Sequence, residues 1–247
     1  MTKYGSKDLA LLVVGGYDVC GVTGEIIDDA QKFTEDTTAF GVQWMQGAQT
    51  GLLKAHFSHK GWYDDAANSS NDALVSTSTG DRTLILGIQG NTIGKEATIC
   101  AGALQTKYER ALSIGKLHRA NAEYVIDGRK DIGKILRALG ADTGASGNTQ
   151  GGNAVDNGAS SAAGGIGALA VTALTLGGYT SVTFKIRHST DNSTYADLIT
   201  FTNVTTAPND QNATVAGTVN RYLASSYLFN GAGAAQTVTN VMAFARR

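Results

Sequence analysis

Along most of the chain apolar and polar residues alternate one by one, the pattern of strands with one face buried and the other wet. It recurs at Leu53/Ala55/Phe57, at Ala97/Ile99/Ala101 and at His118/Ala120/Ala122/Tyr124/Ile126, while Leu9 to Val14 and Thr83 to Ile88 are short apolar runs. Further on, Val182/Phe184/Ile186 alternate with Thr183, Lys185 and Arg187. HSTDNST (188–194) then supplies a turn before Leu198, Ile199 and Phe201, and two more strands fall around Val219/Arg221/Leu223 and at Val241 to Ala245. One segment has a different period. Ile132, Ile135, Leu136 and Leu139 sit at helical spacing with Lys130, Lys134 and Arg137 on other faces, Asp131 placed to cap and Gly140 to stop, which predicts one short helix. Residues 24–37 (GEIIDDAQKFTEDT) fit either a helix or an irregular strand.

The pattern lapses between 141 and 165, where Gly, Ala, Ser, Asn and Asp dominate, and a linker or exposed loop is expected there. This divides the chain into residues 1–140, the linker 141–165, and a Thr-rich part, 166–247, that contains no Glu. Several short strands at turn-punctuated spacing in the last part predict a small antiparallel sandwich with a core of its own, separable from the first part.

Composition agrees with a β-rich class: 31 of 247 residues are Gly and only 17% are charged, against about 25% in an ordinary soluble domain. With 20 basic and 21 acidic side chains the net charge is -1, which argues against a surface that grips nucleic acid or an anionic membrane all round. Cys20 and Cys100 belong to no metal-spaced cluster and read as small buried hydrophobes of a protein that folds in a reducing cytoplasm. The apolar run after Lys3 and Lys7 falls short of a signal peptide. The stretch Ile166 to Leu176 is far below the roughly 20 residues needed to cross a bilayer, so no membrane segment is expected.

The candidate chemistry is sparse. His56 and His59 stand three apart on an expected strand and so point to opposite faces, which does not suit a shared metal. GIQGNTIG (87–94) lacks dinucleotide and P-loop spacing and reads as a strand-to-strand turn. There is no G-x-S-x-G elbow, and no catalytic residue, metal or cofactor is assigned. The densest acidic segment, Trp62, Tyr63, Asp64 and Asp65 running through AANSSND to Asp72, lacks the Gly and closing Glu of an EF-hand loop and is expected to be an exposed loop that contacts a partner.

Three stretches together resemble the major tail tube subunit of long-tailed, siphovirus-like bacteriophages. They are YGSKDLALLVVGGYDV, QTGLLKAHFSHKGWYDDAANSSNDAL, and TFKIRHSTDNSTYADLITF with GTVNRYLASSYLF and VMAFARR. The resemblance implies a mainly β fold: a tail-tube-type sandwich or barrel with a short helix over 1–140, and a C-terminal sandwich as an outward decoration. It further implies a structural virion protein, assembled in the host cytoplasm, whose hexameric rings stack into a tube with other tail proteins at its ends. DNA would pass through without sequence-specific binding, since a lumen that held phosphates through many cations would resist ejection. Arg119, Asn121 and Glu123, on the polar face opposite Ala120, Ala122 and Tyr124, are the lumen-facing candidates, and the 62–81 loop is the candidate contact between rings. The alternatives are a capsid decoration protein and a carbohydrate-binding sandwich using Trp62, Tyr63, Tyr195, Tyr222 or Tyr227 as stacking platforms.

Overall fold

The computed structural model describes residues 9, 11–36, 47–75, 81–148 and 153–247, with main chain alone at 31–36 and 47–54. The fold is mainly β. In chain order the strands of the first half are β1 (Leu11–Val14), β2 (Tyr17–Asp18), β3 (Thr23–Asp36), β4 (Gly47–Trp62), β5 (Arg82–Gly87), β6 (Glu96–Ala111), β7 (Arg119–Ile126) and β8 (Lys130–Asp142), with one helix, α1 (Ser70–Val75), between β4 and β5. Then come β9 (Ser146–Asn148), β10 (Val155–Asp156), β11 (Gly165–Thr175), β12 (Ser181–Ser189), β13 (Ala196–Thr200), β14 (Asn209–Val215), β15 (Tyr222–Asn230) and β16 (Thr237–Arg246). The period-two segments became strands, residues 24–36 fall within β3, and GIQGNTIG turns the chain from β5 into β6 with Gly90 in the left-handed region that suits Gly (φ 100).

A large antiparallel sheet runs β14-β11-β16-β8-β6-β5-β1-β2. Its two ends come together. Asp210 on β14 accepts a hydrogen bond from the Thr83 amide on β5 at 2.6 Å, and the Asn212 side-chain amide reaches the Thr83 hydroxyl at 3.1 Å. Inside the resulting curl lies a core of Leu11, Val13, Ile85, Ile99, Ile135 and Ile166 together with alanines 97, 168, 170, 243 and 245. The small residues let opposite walls approach closely, and at Gly133 a Cβ would collide with the main chain of Phe244.

Two further layers cover the outside of this curl. On one side the second sheet, β10-β15-β12-β13 with β9 beside β15, packs Val182, Phe184, Ile186 and Phe229 against Leu136, Leu169, Met242 and Phe244 of the large sheet. On the other side β3, β4 and β7 continue from β6, and α1 lies beneath them. Their core is Phe57, Leu74, Leu84, Leu86, Tyr124 and neighbouring alanines. β6 carries both arrangements because it is 16 residues long: its first half pairs with β5 and β8, and from Ala103 to Ala111 it pairs with β7.

Two expectations are corrected. The helix expected over 131–139 is β8, and the short helix lies instead at Ser70–Val75. β8 contributes one residue more than β16 between the Ile135–Ala243 and Arg137–Met242 pairs, and one more again before Gly140–Asn240. Each extra residue flips the side chains that follow to the other face. Ile135 enters the inner core, with Leu139 packed against it, its neighbour Leu136 enters the outer one and Ile132 is exposed, so a twice-bulged strand with apolar residues on both faces imitates helical spacing. The division at 141–165 also differs from the observed topology. Ala141 and Asp142 belong to β8, β9 and β10 are strands of the second sheet, and β11, β14 and β16 of the C-terminal part complete the large sheet of the N-terminal part. Residues 149–152 of that stretch, and the N-terminal residues 1–8, lie outside the described residues.

Candidate assembly surface

The sheet β3-β4-β7-β6 has one buried face and one open face, set by simple alternation. Ala120, Ala122 and Tyr124 point into the core, whereas Arg119, Asn121 and Glu123 point the other way, as the sequence pattern requires. The register places them beside Trp62, Lys60 and Ser58 of β4 and beside Ala111, Glu109 and Lys107 of β6. Glu25, Ile27 and Asp29 of β3 extend the same face. Its charges pair among themselves. Lys60 meets Glu25 at 3.1 Å, and Lys107 meets Glu109 at 3.0 Å and Glu123 at 3.3 Å. Hydrogen bonds to Glu109 and Glu123 hold the Lys107 ammonium above the usual lysine range. Arg119 stacks over the Trp62 ring at 5.0 Å. Among the side chains described, the face thus carries Lys60, Lys107 and Arg119 against Glu25, Asp29, Glu109 and Glu123, one more carboxylate than cations.

Both edges of this sheet lack a backbone partner among the described residues. β3 pairs only with β4, and on β6 the edge occupied by β5 up to Ala103 is open from Leu104 to Ala111. The four strands alternate in direction, so an identical copy in the same orientation would meet the β6 edge with β3 running antiparallel to it.

At one end of the sheet stands the acidic loop. Trp62 is exposed, Tyr63 packs on the core beneath, and Asp65 faces solvent. Asp64 and Asp72 bind amides of the loop itself at its surface: Asp64 accepts from the Ala66 amide at 3.0 Å and Asp72 from the Asn68 amide at 2.9 Å. These two acids shape the loop, and residues 76–80 of the 62–81 segment lie outside the described residues. Beside it, joined by the Tyr63 amide to His118 carbonyl hydrogen bond at 3.0 Å, the β6–β7 hairpin ends in Leu112, Ile114 and Leu117, exposed by 67%, 105% and 73%. The strand pattern gave no reason to single out this tip, yet the signal was present: LSIGKLH places three large apolar residues in a turn, where a solvated loop has none.

His56 and His59 point to opposite faces, and among the described residues no group of His, Cys, Asp and Glu is arranged to hold a metal. His59 is buried under β3. Because the Thr23 hydroxyl gives its proton to the Val19 carbonyl, at 2.6 Å, it accepts from His59 Nε2, at 2.9 Å. Nδ1 is left as a buried, unpartnered acceptor. Burial lowers the His59 pKa to about 4. The aromatics proposed as sugar platforms do not form one surface: Tyr195 and Tyr227 are buried in the C-terminal half, away from Trp62 and Tyr63. Among the described residues no helix is long and apolar enough to cross a membrane.

No protein family and no curated protein matches the chain. Among solved structures, it is similar to the tail of an empty gene transfer agent particle refined helically with sixfold symmetry, at 14% identity and a TM-score of 0.38 over 52% of this chain and 97% of that one. It is likewise similar to a chain of the native gene transfer agent virion, at 14% identity and a TM-score of 0.39 over 53% and 98%. The Dit protein of phage SPP1, a hub of the adsorption apparatus, aligns over 96% of this chain and 98% of its own, at 7% identity and a TM-score of 0.35.

Proposed function

We propose that this chain is a structural protein of a phage tail and builds the tail tube: copies join edge to edge into hexameric rings, the rings stack, and the genome leaves through the bore. The observation that carries this reading is the four-stranded β3-β4-β7-β6 sheet, with one face fastened to a core, the other polar, and both edges open among the described residues. An even number of alternating strands lets successive copies continue one antiparallel sheet around a ring, which satisfies edges that would otherwise invite uncontrolled pairing. The polar face, with Arg119, Asn121 and Glu123, then lines the bore. Lys60 and Lys107 are paired with neighbouring carboxylates and Arg119 with Trp62, so these cations gain little by releasing counterions from DNA and the duplex slides past. The loop carrying Trp62, Tyr63 and Asp65 lies at the rim, where it meets the next ring or another tail protein. The chain acts by assembly, without a catalytic step or cofactor, in the virion and after folding in the host cytoplasm.

Negative-stain microscopy and sedimentation of the purified full chain test this. Sixfold rings or hollow tubes are expected, with DNA affinity too weak to measure at physiological salt. A monodisperse monomer at high concentration, or knobs that decorate capsids, would overturn it.

A further inference from the structure

The geometry points to a plug-and-socket contact between successive copies: the apolar tip of the β6–β7 hairpin docks into a groove at the opposite end of β6 in a second copy of this chain. This deepens the proposed self-assembly and rests on it. The plug is the turn 112–117, with Leu112, Ile114 and Leu117 all exposed. Nothing among the described residues covers these side chains, and a chain gains nothing by presenting three of them in six residues unless another surface receives them.

The socket is a groove of ≈ 370 Å³ at the start of β6, lined by Glu96, Ile132, Gly133, Lys134, Phe244 and Arg246 among others. Ile132 stands 62% exposed on its wall, and the edge of Phe244 forms part of the floor. The groove lining holds two cations and one carboxylate, and one opposite pair of charges joins the two parts. Within the groove, Lys134, opposite Glu96 in the ladder, sends its ammonium to the Asp156 carbonyl at 3.3 Å, and Arg246 donates to the Asn220 carbonyl at 2.5 Å. Glu96 is the groove's one carboxylate, and it enters no ion pair among the described residues; neither does Lys116, between Ile114 and Leu117 on the plug. Docking therefore brings Lys116 to Glu96 as the apolar tip covers Ile132.

Placement selects a second copy as the occupant. Glu96 begins β6 and Ala111 ends it, so socket and plug cap the two ends of one 16-residue strand, about 50 Å apart at roughly 3.3 Å per residue. A plug that differs from its socket makes a head-to-tail contact, which repeats along an axis instead of closing a pair.

The test uses the full chain, with sedimentation velocity and electron microscopy for assembly and circular dichroism for the fold. Ile114→Asp and Ile132→Asp, both at exposed positions, should leave the fold intact and raise the concentration needed for stacking at least tenfold. Lys116→Glu and Glu96→Lys should each weaken stacking, and the double reversal should recover most of it. Plug variants that stack like the unaltered chain, or a double reversal no better than either single change, would overturn the docking while leaving ring formation standing. Unaltered chain that stays monomeric overturns both. A plug variant that stacks normally but no longer joins a different tail protein assigns the tip to that protein and overturns docking between copies.

Discussion

Ending the chain after Asn148 should abolish the fold of what remains, although the sequence suggests a boundary nearby. The cut removes β10 to β16 and with them the β16 neighbour of β8, the whole of β11, and Arg247, whose guanidinium meets the buried Asp131 carboxylate at 2.9 Å. More costly is the loss on the inner core. Leu11, Val13, Ile85, Ile99 and Ile135 are fully buried, and Ile166, Ala168, Ala170, Val241, Ala243 and Ala245 form the opposite wall of their core. Burying one such Leu, Val or Ile is worth about 1.5–3 kcal/mol, so exposing these side chains costs on the order of 7–15 kcal/mol. Whole domains are stable by only about 5–15 kcal/mol. Fragment 1–148 is therefore expected to be insoluble or to lack a cooperative transition, read by near-ultraviolet circular dichroism and urea titration, and co-expression with 149–247 should restore the native signal. A soluble fragment with a native near-ultraviolet spectrum and a sharp urea midpoint would refute the shared-core argument.

Acid should destabilise the fold through His59. Its folded pKa, about 4, lies below the unfolded value near 6.5, so the neutral ring's contribution is complete above pH 6.5 and is lost as pH falls toward 4, by about 3 kcal/mol. His59→Leu should flatten that part of a urea midpoint-against-pH curve, and an unchanged slope would exclude His59 as its origin. Gly133→Ala forces a Cβ into the main chain of Phe244 and should lower stability by about 1–3 kcal/mol, as overpacking does; thermal melting within a degree of the parent would contradict the close approach. In the acidic loop, Asp64→Ala removes an acceptor for the Ala66 amide and should cost about 1 kcal/mol. Asp65→Ala should cost almost nothing in stability while weakening contact with a neighbouring ring, so equal melting losses for the two would show that the loop does not depend on Asp64.

Where one face of a strand is buried and the other wet, the sequence carries its own answer. His118 to Ile126 declares which side chains face the core, and from that alone Arg119, Asn121 and Glu123 fall on one open face. The same alternation marks Val182, Phe184 and Ile186 as the inner face of β12. Other features have no local cause. β8 sends apolar side chains to both faces and is bulged twice, so its apolar spacing follows its two neighbours as well as its own pleat. The small α1 helix is fixed by contacts from distant strands: the Arg82 guanidinium and the Gln105 amide bind the carbonyls of Ala73 and Leu74. Nor could a Gly- and Ser-rich stretch reveal that the strands beyond it return to complete the first sheet, because strand pairing is decided by which edges meet after folding. The candidate assembly surface divides the same way. Its polar face follows from period two, which acts between adjacent residues, while its open edges and the placement of the 112–117 tip opposite the Glu96 groove depend on the three-dimensional course of β6, to which residues far apart in the chain contribute.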